Sequence, residues 1–197
     1  MKKTIVLEKT DLGDFRGRTG RFEFSPGINK FSGMNGTGKT TLFDAHTWIF
    51  FGKNSLGKEK FNIKSLVDGK PVSGSEHSVD SIYNVNGENH RFGRFYSEKW
   101  TKARGAMNAV KTGNTTVYKV DTKKCPKKDY DKVVNELLQP TGFDQALLDK
   151  DITPTEIYKI VTDPKYFPSL PWLTMRKILG HQGFIIPSLS IIHSPPS

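Results

Sequence analysis

The chain has 197 residues, a length that fits one domain with a small appendage; 35% hydrophobic and 25% charged residues, with Gly and Pro dispersed, describe a folded chain rather than a disordered or collagen-like one. Its net charge of +10, with 30 Lys and Arg over 20 Asp and Glu, makes polyanions the partners to consider first. No apolar run reaches the roughly 20 residues of a membrane span, the start Met1 to Leu7 meets Glu8 before a signal-peptide core forms, and the single Cys125 excludes an internal disulfide or a cysteine-pair zinc site. The expectation is a cytoplasmic protein without a membrane partner.

In chain order, Thr4 to Leu7, Arg21 to Phe24 and Ile28 to Phe31 are predicted strands, the last running into a glycine-rich turn. A helix is predicted over Lys39 to Phe51, with Leu42, Ala45, Trp48 and Ile49 on one apolar face and Gly52 as its stop. From Phe61 to Val120 alternation dominates: Val79 to Tyr83 and Thr116 to Val120 are predicted antiparallel strands, and Asn86-Gly87 a hairpin turn. Arg91 to Lys132 carries twelve basic and four acidic residues, which concentrates +8 of the charge in one stretch. That stretch fits a phosphate-contacting surface as well as a solvated lysine-rich face. Tyr130, Val133, Val134, Leu137 and Leu138 then repeat at helical spacing up to Pro140, and shorter helices are predicted over Thr155 to Val161 and Trp172 to Leu179.

The chemistry concentrates at Gly33-Met34-Asn35-Gly36-Thr37-Gly38-Lys39-Thr40, a complete G-x-x-x-x-G-K-[ST] phosphate-binding loop. Glycines let successive N–H groups curl round a phosphate, Lys39 reaches the terminal phosphates, the Thr40 hydroxyl ligates magnesium, and the helix start adds its partial positive charge. Hydrolysis needs more: a magnesium-side carboxylate at the end of an apolar strand and a positioned water. Ser65-Leu66-Val67-Asp68-Gly69 and Ala146-Leu147-Leu148-Asp149-Lys150 are poor substitutes, since neither has an acidic pair.

Several of these segments resemble a known family. Ile5-Val6-Leu7-Glu8 through Asp14-Phe15-Arg16-Gly17, Phe22-Glu23-Phe24, Gly27-Ile28-Asn29, the glycine loop, and Thr41-Leu42-Phe43-Asp44-Ala45 to Phe51-Gly52-Lys53 are similar to the N-terminal head segment of certain ABC-type ATPases. These include structural-maintenance-of-chromosomes proteins and the SbcC-like large subunit of the recombination exonuclease, and the phage and bacterial members match best. The likeness is specific over Lys3 to Lys53 and looser over Leu137 to Leu179, where Thr162-Asp163-Pro164-Lys165-Tyr166-Phe167 and Trp172 to Leu179 match a later family segment.

The resemblance implies an α/β fold, the N-terminal lobe of an ABC-type P-loop NTPase head. It would span residues 1–179, with the P-loop at 33–41, a basic antiparallel β subregion near 61–120 and helices near 127–179. It implies an ATPase of double-strand break repair and recombination that uses ATP and Mg2+, binds DNA without sequence preference, and works with a second head half and a nuclease subunit. By the same resemblance Asn35, Gly36, Thr37, Gly38, Lys39, Thr40, Thr41 and Arg16 hold nucleotide, and Asp163 joins Thr40 at magnesium. An N-cap role before Pro164 is the plainer reading of Asp163.

The family's second half supplies a Ser-Gly-Gly signature and the acidic pair. Val72-Ser73-Gly74-Ser75-Glu76 only superficially resembles that signature, and no sustained heptads occur. Residues 180–197 form an atypical apolar, proline-terminated tail without acid, Lys or Arg, expected to reflect a natural truncation or a change of reading frame. The expectation is therefore nucleotide binding with negligible turnover. The alternatives are a complete but different P-loop enzyme, such as a nucleotide kinase or transporter-type ATPase, and a non-enzymatic basic nucleic-acid-binding module. Lys53 fits either a DNA contact or a helix C-terminal charge, the histidines show no metal-ligand spacing, and the lysines around Cys125 are expected to lower its pKa.

Overall fold

Two-residue turns with both central residues at positive φ shape the sheet. In the computed structural model of the chain, which describes residues 3–102, 104–105, 107–139, 153–163 and 166–180, β1 (Ile5–Phe15) turns into β2 (Arg18–Glu23) through Arg16 and Gly17 at φ 52° and 77°. After α1 (Lys39–Phe51), a small ribbon of β3 (Leu66–Val67) and β4 (Lys70–Pro71) precedes β5 (His77–Val85) and β6 (Glu88–Thr101). The last two are joined by the expected Asn86-Gly87 turn at φ 53° and 97°. β7 (Val110–Val120) reaches β8 (Lys123–Cys125) through Asp121 and Thr122 at φ 45° and 74°. Primed turns match the strand twist and normally call for glycine or asparagine. Here Asp121 holds the turn, accepting from Arg91 N–H and donating its own N–H to the Arg91 carbonyl, both at 2.9 Å.

The main sheet is antiparallel throughout, in the order β2-β1-β5-β6-β7-β8. On β5, His77, Val79, Ser81, Tyr83 and Val85 alternate onto the buried face, the period-2 signature of a sheet with one covered side. Three helices follow: α2 (Lys127–Leu138), α3 (Pro154–Thr162) and α4 (Trp172–Gly180). They lie where helical periodicity predicted them. Thr153 opens α3 with a capping box, its hydroxyl accepting from Glu156 N–H while the Glu156 carboxylate accepts from Thr153 N–H at 2.7 Å.

α1 departs from the single apolar face read from its spacing. All of Asp44 to Phe50 is buried, because the sheet covers one flank and later helices cover the other. Trp48 packs on Phe15 at 5.2 Å between ring centroids, and Phe50 on Tyr83 at 4.5 Å and Phe92 at 5.7 Å. From the opposite side Tyr158 meets Phe50 at 5.6 Å, and the Tyr130 hydroxyl of α2 donates to the Ile49 carbonyl at 2.8 Å. Arg94 of β6, only 4% exposed, lies 5.1–5.9 Å from the rings of Trp48, Tyr118 and Tyr130 and reaches the Phe50 carbonyl. A buried cation is tolerated there because the rings and the negative end of α1 replace its hydration.

His46 is locked into this core, with Nδ1 3.0 Å from the Tyr83 hydroxyl, and burial lowers its pKa to about 4. The unfolded chain titrates near 6.5 and so binds more protons than the folded one between those values, which makes stability fall as pH drops through that window. At pH 5 the loss relative to pH 7 is about 2 kcal/mol from this residue. Thermal melts of wild type and His46→Phe across pH 7 to 5 should show a steeper decline in wild type; parallel curves would contradict the assignment.

The predicted strand over Ile28 to Phe31 does not form. The Asn29 side chain instead accepts from Ser25 N–H at 2.9 Å and donates to the Ser25 carbonyl at 2.8 Å, which folds the segment on itself, and Ile28 and Phe31 are 72% and 45% exposed. Conversely β6, long and interrupted by Gly and charge, is implied in the sequence only by the Asn86-Gly87 turn before it, and β8 has no signal there. Leu66 and Val67, the apolar pair ahead of Asp68, form an exposed ribbon that buries nothing. Pro140, Ala146 to Lys150, Pro164 and the 180–197 tail apart from Gly180 lie outside the described residues.

Candidate nucleotide site

The glycine loop leads directly into α1, and its left-handed residues are those the motif requires: Gly36 at φ 83° and Gly38, the N-cap, at φ 99°. Thr37 ties the loop across itself, its hydroxyl donating to the Met34 carbonyl at 2.9 Å. Gly38 offers no side-chain cap and the first turn of α1 holds no acid, so the helix start keeps its N–H donors and positive end for an outside anion. Asn35, Gly36, Thr37, Lys39 and Thr40 are exposed, with Gly38 and Thr41 partly so. Such a set fits a polyphosphate: N–H donors, one ammonium, and the Thr40 hydroxyl as an oxygen ligand for magnesium.

Two cations lie across this loop without a carboxylate partner among the described residues. Lys39 Nζ donates to the carbonyls of Gly33 and, at 2.9 Å, Met34. Arg18, at the start of β2, donates to the Gly36 carbonyl, and a Cβ added at Gly38 would sit 2.9 Å from Arg18 Nε. Arg18 drew no notice in the sequence; its only signal there was its spacing two residues from Arg16 across a Gly turn.

Arg16 is placed differently. Its guanidinium pairs with Asp44, whose side chain is 1% exposed and also accepts from Ser55 N–H at 2.8 Å. Asp163 is buried and closes α3, its N–H donating to the Lys159 carbonyl at 2.8 Å; it is a helix C-cap and not the N-cap its sequence position implied. Lys53 pairs with Glu59 at 3.2 Å just past α1. Partial burial, followed by the nearby Asp129, raises the Cys125 thiol, reversing the expectation drawn from its lysine neighbours. Among the described residues no group of three His, Cys, Asp or Glu side chains is placed to hold a metal ion, and no helix is long and apolar enough to cross a membrane.

Part of the basic stretch forms a projecting ribbon. β5 accompanies β6 only as far as Tyr96, whereas Ser97 to Thr101 pairs with β7 alone, so the hairpin runs roughly 17 Å past its neighbour. Its base is pinned by Glu98, which accepts from Lys64, from Lys111 at 2.6 Å and from Gly74 N–H at 3.0 Å; hydrogen bonds from Lys111 and Lys64 hold its carboxyl down to about 2. Lys99, Lys102 and Arg104 are exposed beyond that clasp, beside a half-exposed Trp100.

Residues 11–157 match the AAA domain family model, and the chain belongs to that family. The chain is 28% identical over 187 residues to the DNA double-strand break repair Rad50 ATPase of Methanocaldococcus jannaschii, a match that takes in 92% of this chain and 16% of that protein's length. Among solved structures it is similar to the recombination mediator protein RecF with ATP (TM-score 0.46, 16% identity, 83% of this chain and 38% of the other). It is also similar to an Smc head bound to the C-terminal winged-helix domain of ScpA (TM-score 0.47, 14% identity, 88% and 53%).

Proposed function

We propose that this chain is the ATP-binding portion of a DNA repair or recombination ATPase, which grips Mg-ATP on Gly33 to Thr41 and depends on a second head half for hydrolysis. The observation that carries the reading is the uncapped, acid-free start of α1 behind a loop whose cations rest on loop carbonyls. Those contacts exchange for phosphate oxygens without breaking an ion pair, so binding costs little reorganisation. Loop N–H groups and Lys39 hold the phosphates, and Thr40 supplies a magnesium ligand. Magnesium, when bound, neutralises phosphate charge; Asp163 is the candidate second oxygen donor. Calorimetric titration of the 197-residue chain with Mg-ATP tests this: saturable binding supports it, and absence of heat at millimolar nucleotide rejects it.

The exposed Ile28 and Phe31, just ahead of the loop, support a partner that supplies strands to this edge, as a C-terminal head half would. A nuclease subunit is the further partner the resemblance brings, and the cytoplasm the compartment. DNA is the proposed polyanion, and the basic ribbon its contact surface. Three exposed cations, Lys99, Lys102 and Arg104, give a log–log salt slope near −3, so affinity for a duplex of arbitrary sequence should fall roughly fortyfold between 50 and 200 mM salt. A flat salt titration would argue against DNA as the ligand of this surface.

A further inference from the structure

We infer that Arg18 is a second cationic ligand for the nucleotide's phosphates, acting opposite Lys39 across the mouth of the loop. The inference rests on the nucleotide reading above and deepens it. The primed turn of Arg16 and Gly17 sets the directions of the two arginines that flank Gly17. Arg16 is spent on the buried Asp44, which holds the hairpin against α1. Arg18 emerges on the paired strand and lies flat over Gly38, its Nε, Cδ and Cγ at 2.9–3.3 Å from where a Cβ would stand, with its guanidinium on the Gly36 carbonyl.

Two independent features make this a ligand position. Gly38 has no side chain where any other residue would displace Arg18, so the close approach depends on the same glycine that caps the helix. The guanidinium has no ion pair among the described residues, although the same hairpin pairs Arg21 with Asp11 at 2.8 Å and Arg16 with Asp44. An arginine that spends only one N–H on a carbonyl keeps the rest of its planar fork for phosphate oxygens. Gly36 and Gly38 bracket the turn whose N–H groups would face the phosphates, so the fork needs only a side-chain rotation to exchange its carbonyl for them.

The test is calorimetric titration of the full chain with Mg-ATP, Mg-ADP and adenosine, comparing wild type, Arg18→Gln, Arg18→Lys and Arg21→Gln. Arg18→Gln should weaken ATP binding roughly ten- to hundredfold, leave any adenosine binding unaltered, and be partly rescued by Arg18→Lys. Arg21→Gln makes the same charge change on the same strand away from the loop and should bind ATP as wild type does. Equal ATP affinity for wild type and Arg18→Gln overturns the inference, as does a loss that Arg21→Gln reproduces. If wild type itself binds no nucleotide, the underlying reading fails instead.

Discussion

Lys39→Ala is expected to weaken Mg-ATP binding at least a hundredfold while the fold stays intact. The ammonium is exposed and its contacts are the carbonyls of Gly33 and Met34, so its removal leaves no buried group unsatisfied. What is lost is a point charge at the phosphates, where charge-assisted hydrogen bonds exceed neutral ones about twofold in strength. A hundredfold change corresponds to about 2.8 kcal/mol. Calorimetry measures it directly, with circular dichroism to show an unchanged fold. Wild type should meanwhile show no steady ATP turnover above background without a partner. Hydrolysis that Lys39→Ala abolishes would contradict the dependence on a second head half, while unchanged affinity in Lys39→Ala would remove the loop from the site.

The second large effect is structural and sits where α1 meets the hairpin turn through Arg16. Asp44→Ala should cost about 3 kcal/mol, because it removes a 1% exposed carboxylate that accepts from both Ser55 N–H and the part-exposed Arg16. For a chain of this size that lowers the melting temperature by roughly 6–12 °C. Asp44→Asn keeps an acceptor for Ser55 and should lose about half as much. A melting temperature within a degree of wild type for Asp44→Ala would show that the pair contributes nothing to holding β1 and β2 against α1.

The loop was legible because its function demands backbone freedom at set positions. Only glycine takes up the φ of Gly36 and Gly38 without strain, and the lysine must follow at the first helical position, so chemistry and local geometry coincide in one short string. The helices were legible for a related reason: Tyr130, Val134, Leu137 and Leu138 repeat every three to four residues and all are buried. The sheet was legible only where alternation was clean, as on β5. β6 carries Arg94 inward and Gly93 within its run, so its pattern breaks where tertiary packing overrides strand propensity. The turn at Asp121 and Thr122 lacks glycine and is held by Arg91 from another strand, a contact no local window contains.

From the amino acids alone came the phosphate loop, the helix behind it, the later helices and the concentration of positive charge, since each depends on neighbours within a few residues. Tertiary structure decided the roles of residues that local pattern treats alike. Arg16 and Arg18 differ in sequence only by position, yet one is spent on a buried carboxylate and the other lies over the loop, because Arg16 sits in the turn at positive φ while Arg18 opens the next strand. The burial of α1 on both flanks, the failure of Ile28 to Phe31 to pair, and the projection of the basic ribbon past β5 were decided in the same way. Each depends on which distant segments are present to cover a surface or complete a ladder, and hydrogen bonds and burial across such separations leave no periodic mark in the chain.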